Sequence, residues 1–376
     1  MRRGLTASIP LASTFRIPPG MSTRRQFLAG LAATTAAGWL ATRGLARAAE
    51  SNLMNWPSRA IELPDDEESQ RPPVVTALRL HPRGEELATA GDDHLVRVWR
   101  LSDGKLLHRL AVHTDWVRTV DYTPDGQTLA SAGNDRRIIF SDAVTGQKRD
   151  EFAEHPQAIA AIRFSHDGAR LAAVGFEGTI RLYDVATKRL IADAAAPCRD
   201  MRTVAFSPTD AEVAAGGRCG TIRFCSTSSG HVIRDVAAHR QRVRAVAYSP
   251  DGSYLASTGD DRTVHILPQA DGTTSFALPD RGAKVLALAF CGPNQLTVAG
   301  SDNLIRVWDV AARRETGVLA GHTGTIAALE CQGKVLVSAG YDTAVRIWTI
   351  DDHVAAANSL PARIVRPAVP ALPTTR

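Results

Sequence analysis

The chain has 376 residues, 44% hydrophobic and 22% charged. This composition excludes an intrinsically disordered protein and supplies ample apolar surface for a core. The formal net charge of +5 misleads, because residues 1–48 hold seven arginines (2, 3, 16, 24, 25, 43 and 47) and no Lys, Asp or Glu. Beyond that segment 37 basic residues face 39 acidic ones, a net of −2, which removes any overall electrostatic case for nucleic acid.

In chain order, the first element is an address. Thr23-Arg24-Arg25-Gln26-Phe27-Leu28 precedes a weakly hydrophobic stretch from about Ala29 to Leu40, and Ala46-Arg47-Ala48 then supplies small residues for cleavage. A charged segment, an apolar segment and an A-x-A site in that order predict a secretory signal rather than a spanning helix. The pair Arg24-Arg25 before Phe27-Leu28 resembles the twin-arginine (Tat) signal of bacteria. The residue after Phe-Leu is Ala29, where that family usually has Lys. The resemblance implies a periplasmic protein with no membrane span after cleavage; the alternative is a membrane anchor left by an uncleaved signal. Met21 stands two residues before Thr23 and is a second candidate start, so residues 1–48 are read as a leader whose translation begins at Met1 or Met21.

Residues 49–70 include Ser58-Arg59-Ala60-Ile61-Glu62-Leu63, an alternating strand candidate. From 71 to 350 one unit recurs seven times. Its marker glycines are Gly91, Gly133, Gly175, Gly217, Gly259, Gly300 and Gly340, spaced by 42, 42, 42, 42, 41 and 40 residues. Eight residues after them come Trp99, Ser141, Tyr183, Cys225, Leu267, Trp308 and Trp348. Each unit reads as β. Val117–Tyr122 is a strand, Pro124-Asp125-Gly126 a turn, Thr128–Ala132 a strand, Gly133-Asn134-Asp135 a hairpin, Arg137–Phe140 its return, and a fourth strand runs to about Phe152. A four-stranded sheet cannot bury both faces alone, so such units stack around an axis. The predicted fold is all-β: a seven-bladed propeller with four antiparallel strands per blade. Residues 351–376 form a Pro- and Ala-rich tail.

Val307-Trp308-Asp309-Val310 and Ala320-Gly321-His322-Thr323-Gly324 resemble the two signatures of the WD-repeat family. The family's buried network of His, Ser/Thr, Asp and Trp is matched in full by His322, Ser338, Asp342 and Trp348 of repeat seven. Repeat one has Thr89, Asp93 and Trp99 without the His. Repeat two has His113, Ser131 and Asp135 with Ser141 in place of Trp. Repeat five has His239, Ser257 and Asp261 with Leu267 in place of Trp. Repeat six keeps Asp302 and Trp308, and repeat four departs furthest, with Ala215, Cys219 and Cys225. The resemblance implies that the last blade takes its outermost strand from the other end of the chain. Ser58–Leu63 is favoured for that place over residues 353–365, whose Ala355-Ala356-Ala357-Asn358 has poor strand propensity.

Sites of chemistry are not found in the sequence: there is no C-x-x-C-H, Gly-rich phosphate loop, H-E-x-x-H or G-x-S-x-G. No catalytic residue, metal or cofactor is assigned. The histidines at 113, 155, 239 and 322 occur once per blade and are read as structural. Five cysteines follow the leader, an odd number in a compartment that permits disulfides, with no framework spacing. Cys219 and Cys225 are about 20 Å apart along one strand, too far to bond. Cys291 and Cys331 sit at equivalent places in neighbouring blades, where either a disulfide or two small buried thiols would fit.

The resemblance also implies a binding face at the loops before each inner strand and at the Gly-x-Asp hairpins. Carried onto this sequence, those positions select Trp116, Phe176 and Tyr341 as exposed aromatics and Arg199, Arg218, Arg240, Arg242 and Lys284 as a basic sector. The leading reading is an exported, non-catalytic, monomeric scaffold that binds other proteins, with an acidic patch on the partner. The alternative is a periplasmic enzyme or ligand-binding protein using the central funnel. That reading needs acids, His and Arg from several blades to meet at one mouth, and no such cluster is visible in the sequence.

Overall fold

Every element among the described residues of the computed structural model is a strand. The model describes residues 53–54, 58–63, 72–152, 155–270, 272–280 and 282–350. The leader with Arg24, Arg25, Phe27, Leu28, Ala46 and Ala48, the start at Met21, and residues 353–376 lie outside them.

The described strands form seven sheets stacked around an axis, each with four antiparallel strands. The innermost strands are Val75–Leu80, Val117–Tyr122, Ile159–Phe164, Met201–Phe206, Val243–Tyr248, Val285–Phe290 and Ile326–Gln332. Each touches the next, and the seventh touches the first, so the ring is closed. Ser58–Glu62 pairs antiparallel with Ala344–Thr349 and forms the outermost strand of blade seven, with Ile61 opposite Val345. Ile61 and Leu63 pack with Val337 and Val345 of blade seven and with Val75, Leu78 and Trp99 of blade one. The closing strand thus joins the first and last blades through apolar burial as well as through its ladder. Blade six carries one strand more than expected: Leu53–Met54 pairs parallel with Arg314–Ala320 at its outer edge.

The same principle holds the other blades together. One core cluster joins Val174 and Ile180 of blade three to Met201, Phe206 and Val213 of blade four. Each such side chain, once fully buried, contributes about 1.5–3 kcal/mol.

Two repeated details shape the axial end of the blades. The marker glycine is required because in six blades the chain entering the inner strand passes directly against it: a Cβ on Gly133 would lie 2.0 Å from the Trp116 carbonyl oxygen, and one on Gly300 would lie 1.7 Å from that of Lys284, while one on Gly259 would meet the His239 ring at 2.6 Å. Secondly, all seven inner strands carry a register shift after their first residue, between Val117 and Thr119 in blade two and between Met201 and Thr203 in blade four, for example. A bulge leaves one residue out of the ladder and re-aims its side chain. The residues so displaced are Thr76, Arg118, Ala160, Arg202, Arg244, Leu286 and Ala327.

Candidate functional site

The per-blade histidines are held by their own blades. In blade seven His322 Nδ1 donates to Asp342 at 2.7 Å, its Nε2 meets Ser338 Oγ at 2.7 Å, and Trp348 Nε1 donates to the same Oγ at 2.8 Å. A carboxylate can only accept, which sets the proton on Nδ1. Against the burial that pushes it up, the hydrogen bond from His322 holds the Asp342 carboxyl below its ordinary range. Blade two repeats the pattern with His113, Asp135 and Ser131 at 2.7 Å each, and blade five with His239 to Asp261 at 3.0 Å and Ser257 at 2.9 Å. In blade three His155 accepts from the Tyr183 hydroxyl at 2.8 Å.

The expected network is altered in blades one and six, which lack the His. Trp99 still donates to Thr89 at 2.8 Å, but Asp93 pairs with Arg97 at 2.5 Å. Asp302 likewise pairs with Arg306 at 2.5 Å, and Val298 stands at the Ser position. An Arg four residues after the Asp has taken the place of the His, so Asp302 and Trp308 belong to no His-centred network. Among the described residues no group of three or more His, Cys, Asp or Glu is placed to hold a metal ion.

The cysteines depart from expectation. Cys291 and Cys331 are bonded across blades six and seven, so the reading as two separate thiols is corrected; their equivalent strand positions bring the Cα atoms to 5.2 Å. Cys198 bonds Cys219, linking the loop that enters blade four to its own hairpin. Sequence spacing did not reveal this bond, because the pairing crosses between loops. Cys225 is buried and free, and burial pushes its thiol up to about 11.

At the hairpin mouth of the axis the selected side chains divide. Trp116 is 45% exposed and Tyr341 59%. Phe176, expected to be exposed, is half-buried, because two guanidinium groups cover its ring: Arg202 at 4.6 Å and Arg118 at 5.6 Å from the centroid. Arg118 also lies 5.9 Å from the Trp116 ring centroid and close enough to Tyr341 to feel its phenol. Arg242 is half-buried as well, since Asp200 holds it at 2.8 Å while also pairing with Arg202 at 2.6 Å; it is not the free loop cation that the sequence placed there. Burial pulls the Arg118 and Arg202 guanidiniums down from their ordinary values. Arg199, Arg218, Arg240 and Lys284 are exposed. The backbone of Arg218 bonds that of Asp200 at 3.1 Å, which sets it beside this cluster. For Arg240 and Lys284 no contact with the cluster is recorded among the described residues.

Arg118, Arg202 and Arg244 were missed in the sequence. Their signal was available: each lies fifteen residues before its marker glycine, at the bulge. A second missed set lies at the fifth residue of the inner strands, near the opposite mouth. There Arg79 of blade one reaches Asp121 of blade two at 2.6 Å and Glu330 of blade seven at 2.8 Å, with Arg163 of blade three beside them.

A family model described as "WD domain, G-beta repeat" matches residues 68–100, 104–142, 146–184, 230–266, 274–309 and 313–349. The stretch between 184 and 230, which holds most of blade four, is not matched. The chain is similar to "Mitochondrial division protein 1" of Mycosarcoma maydis, 36% identical over 80 residues, which are 21% of this chain and 10% of that protein. The protein of the same name from Schizosaccharomyces pombe is 32% identical over 71 residues, 19% of this chain and 11% of that one. "Autophagy-related protein 16" of Arabidopsis thaliana is 30% identical over 94 residues, 24% of this chain and 18% of that one. The matches thus span about a tenth to a fifth of these relatives.

Proposed function

We propose that this chain, which belongs to the WD domain, G-beta repeat family, is an exported scaffold that binds an acidic protein segment at the hairpin mouth of its propeller. The observation that carries this reading is the cluster around Phe176. Two guanidinium groups, Arg118 and Arg202, lie over one aromatic ring, and Asp200 is the carboxylate that Arg202 shares with a third, Arg242. Exposed Trp116 and Tyr341 flank them. Aromatics and arginines are favoured anchors of protein interfaces, and guanidiniums partly stripped of water gain from an incoming carboxylate. Binding without catalysis also fits the histidines, which are engaged inside their own blades.

Export rests on Arg24-Arg25-Gln26-Phe27-Leu28 and on Ala46-Arg47-Ala48. Two disulfides support an oxidising compartment such as the periplasm, since reducing cytosol rarely permits them. The double substitution Arg24→Lys with Arg25→Lys tests this part. Fractionation should find the variant uncleaved in the cytoplasm, whereas normal delivery and processing near Ala48 would defeat the twin-arginine route.

A further inference from the structure

The second mouth of the axis, where the turns between first and second strands lie, carries a different arrangement. The fifth residues of the inner strands are Arg79, Asp121, Arg163, Ala205, Ala247, Ala289 and Glu330. Charge is confined to one side of the ring and methyl groups line the other. On the charged side both carboxylates are committed. Arg79 takes Asp121 at 2.6 Å and both oxygens of Glu330 at 2.8 and 2.9 Å. The second oxygen of Asp121 accepts the Phe164 backbone N–H at 2.7 Å.

Arg163 is left over. Among the described residues its recorded hydrogen bond is Nη1 to the Ile162 carbonyl at 2.8 Å, one use of five N–H donors. Burial and the neighbouring Arg79 pull this guanidinium down from its ordinary value, while Asp121 and Glu330 offset part of the effect. An arginine stays charged nonetheless. Among the described residues it therefore stands as a cation with no carboxylate in ion-pair contact, since Asp121 and Glu330 are held by Arg79 and reach it only from further off, in a partly desolvated place that an anion in direct contact would relieve.

The small side chains opposite leave room for that anion. Arg163, Ala205, Ala247 and Ala289 line one open cavity of about 450 Å³, whose walls continue into Phe206 and Phe290 and, on the charged side, into the Arg79–Glu330 pair. The volume lies in the range of small-molecule sites, which join apolar walls to a few placed polar groups. Asp121 and Glu330 sit beside Arg163 and would repel a second negative charge. The geometry points to a binding site here for a small monocarboxylate with a compact apolar body, its carboxylate on Arg163 and its body against the alanines.

The site does not depend on the partner-binding reading, because the two mouths share none of these residues. Benzoate is the probe, with benzyl alcohol as the neutral isostere and inorganic phosphate as the polyanion. Calorimetric titration of the intact protein should show saturable, single-site benzoate binding, at least tenfold tighter than benzyl alcohol or phosphate. R163Q should weaken benzoate by tenfold or more, the loss of one charge-assisted contact of about 1.4 kcal/mol. A247L, which fills the cavity and keeps the cation, should weaken it comparably, so the test survives if one variant misfolds. Benzoate binding that is absent in the wild type, matched by benzyl alcohol or phosphate, or unchanged in either folded variant would overturn the site.

Discussion

Blades seven and four share one strand plan and are held by different chemistry. In blade seven the loop entering the inner strand is tied to the hairpin by His322 and Asp342 at 2.7 Å, and Trp348 plugs the interior through Ser338. In blade four the equivalent tie is covalent: Cys198 lies on the entering loop and Cys219 occupies the Asp position. Ala215 and Cys225 replace Ser and Trp, and both are buried in an apolar cluster shared with blade three. Asp200 O and the Gly217 Cα still come together, as in five of the other blades, since a Cβ there would lie 2.6 Å from that oxygen. The close passage of the loop carbonyl against glycine thus recurs in six of the seven blades, with the His239 ring in its place at Gly259, and the side chains that fasten it are interchangeable.

This difference sets the size of the expected effects. Trp348→Ala removes the largest fully buried side chain among the described residues and leaves Ser338 Oγ without its donor. It should cost about 3–5 kcal/mol in denaturant unfolding. Cys225→Ala at the matching position of blade four deletes a single sulfur from an apolar site and should cost about 1 kcal/mol. Equal losses would show that the two blades are not fastened differently.

The tie in blade four can be cut separately. Cys198→Ser with Cys219→Ser opens a loop spanning 21 residues, and loop-closure entropy puts the loss at about 3 kcal/mol. A melting temperature that stays unchanged in non-reducing buffer would mean that the disulfide does not substitute for the histidine.

Blade three lies between these cases and supplies a pH test. His155 is buried, accepts from Tyr183 and has Glu177 no nearer than 3.6 Å. Burial, with Arg181 adding to it, lowers its pKa from 6.5 to about 4. A group whose folded pKa is depressed binds more protons when unfolded. Its contribution is complete above about pH 6.5 and is lost as pH falls toward about 4. Between pH 7 and pH 4 the wild type should lose on the order of 2–3 kcal/mol more than His155→Gln, which keeps an acceptor for Tyr183 but cannot take up the proton. Parallel pH profiles for the two proteins would contradict a neutral buried His155.

The fold was legible because a repeat declares itself seven times: marker glycines at spacings of 40 to 42 residues set the blade number and strand order. The His-centred networks of blades two, five and seven were legible for the same reason. What escaped were consequences of closure. Arg79, Asp121 and Glu330 come from blades one, two and seven, and Glu330 lies 251 residues from Arg79. No local pattern joins them until the ring is formed. The loop residue Arg242 was misjudged because Asp200, 42 residues earlier in the preceding blade, reaches it across the interface. Phe176 was misjudged because the bulges at Arg118 and Arg202 turn both guanidiniums over its ring.

The claim that the hairpin mouth is the binding surface is tested most directly by Trp116→Ala combined with Tyr341→Ala. Both side chains are exposed, so thermal unfolding should stay within about 0.5 kcal/mol of the wild type. Affinity capture from periplasm, read by quantitative mass spectrometry, should show loss of the partner retained by the wild-type chain, and that partner should dissociate more readily as salt is raised. A double variant that folds normally and retains every partner at wild-type abundance would contradict the assignment of this face.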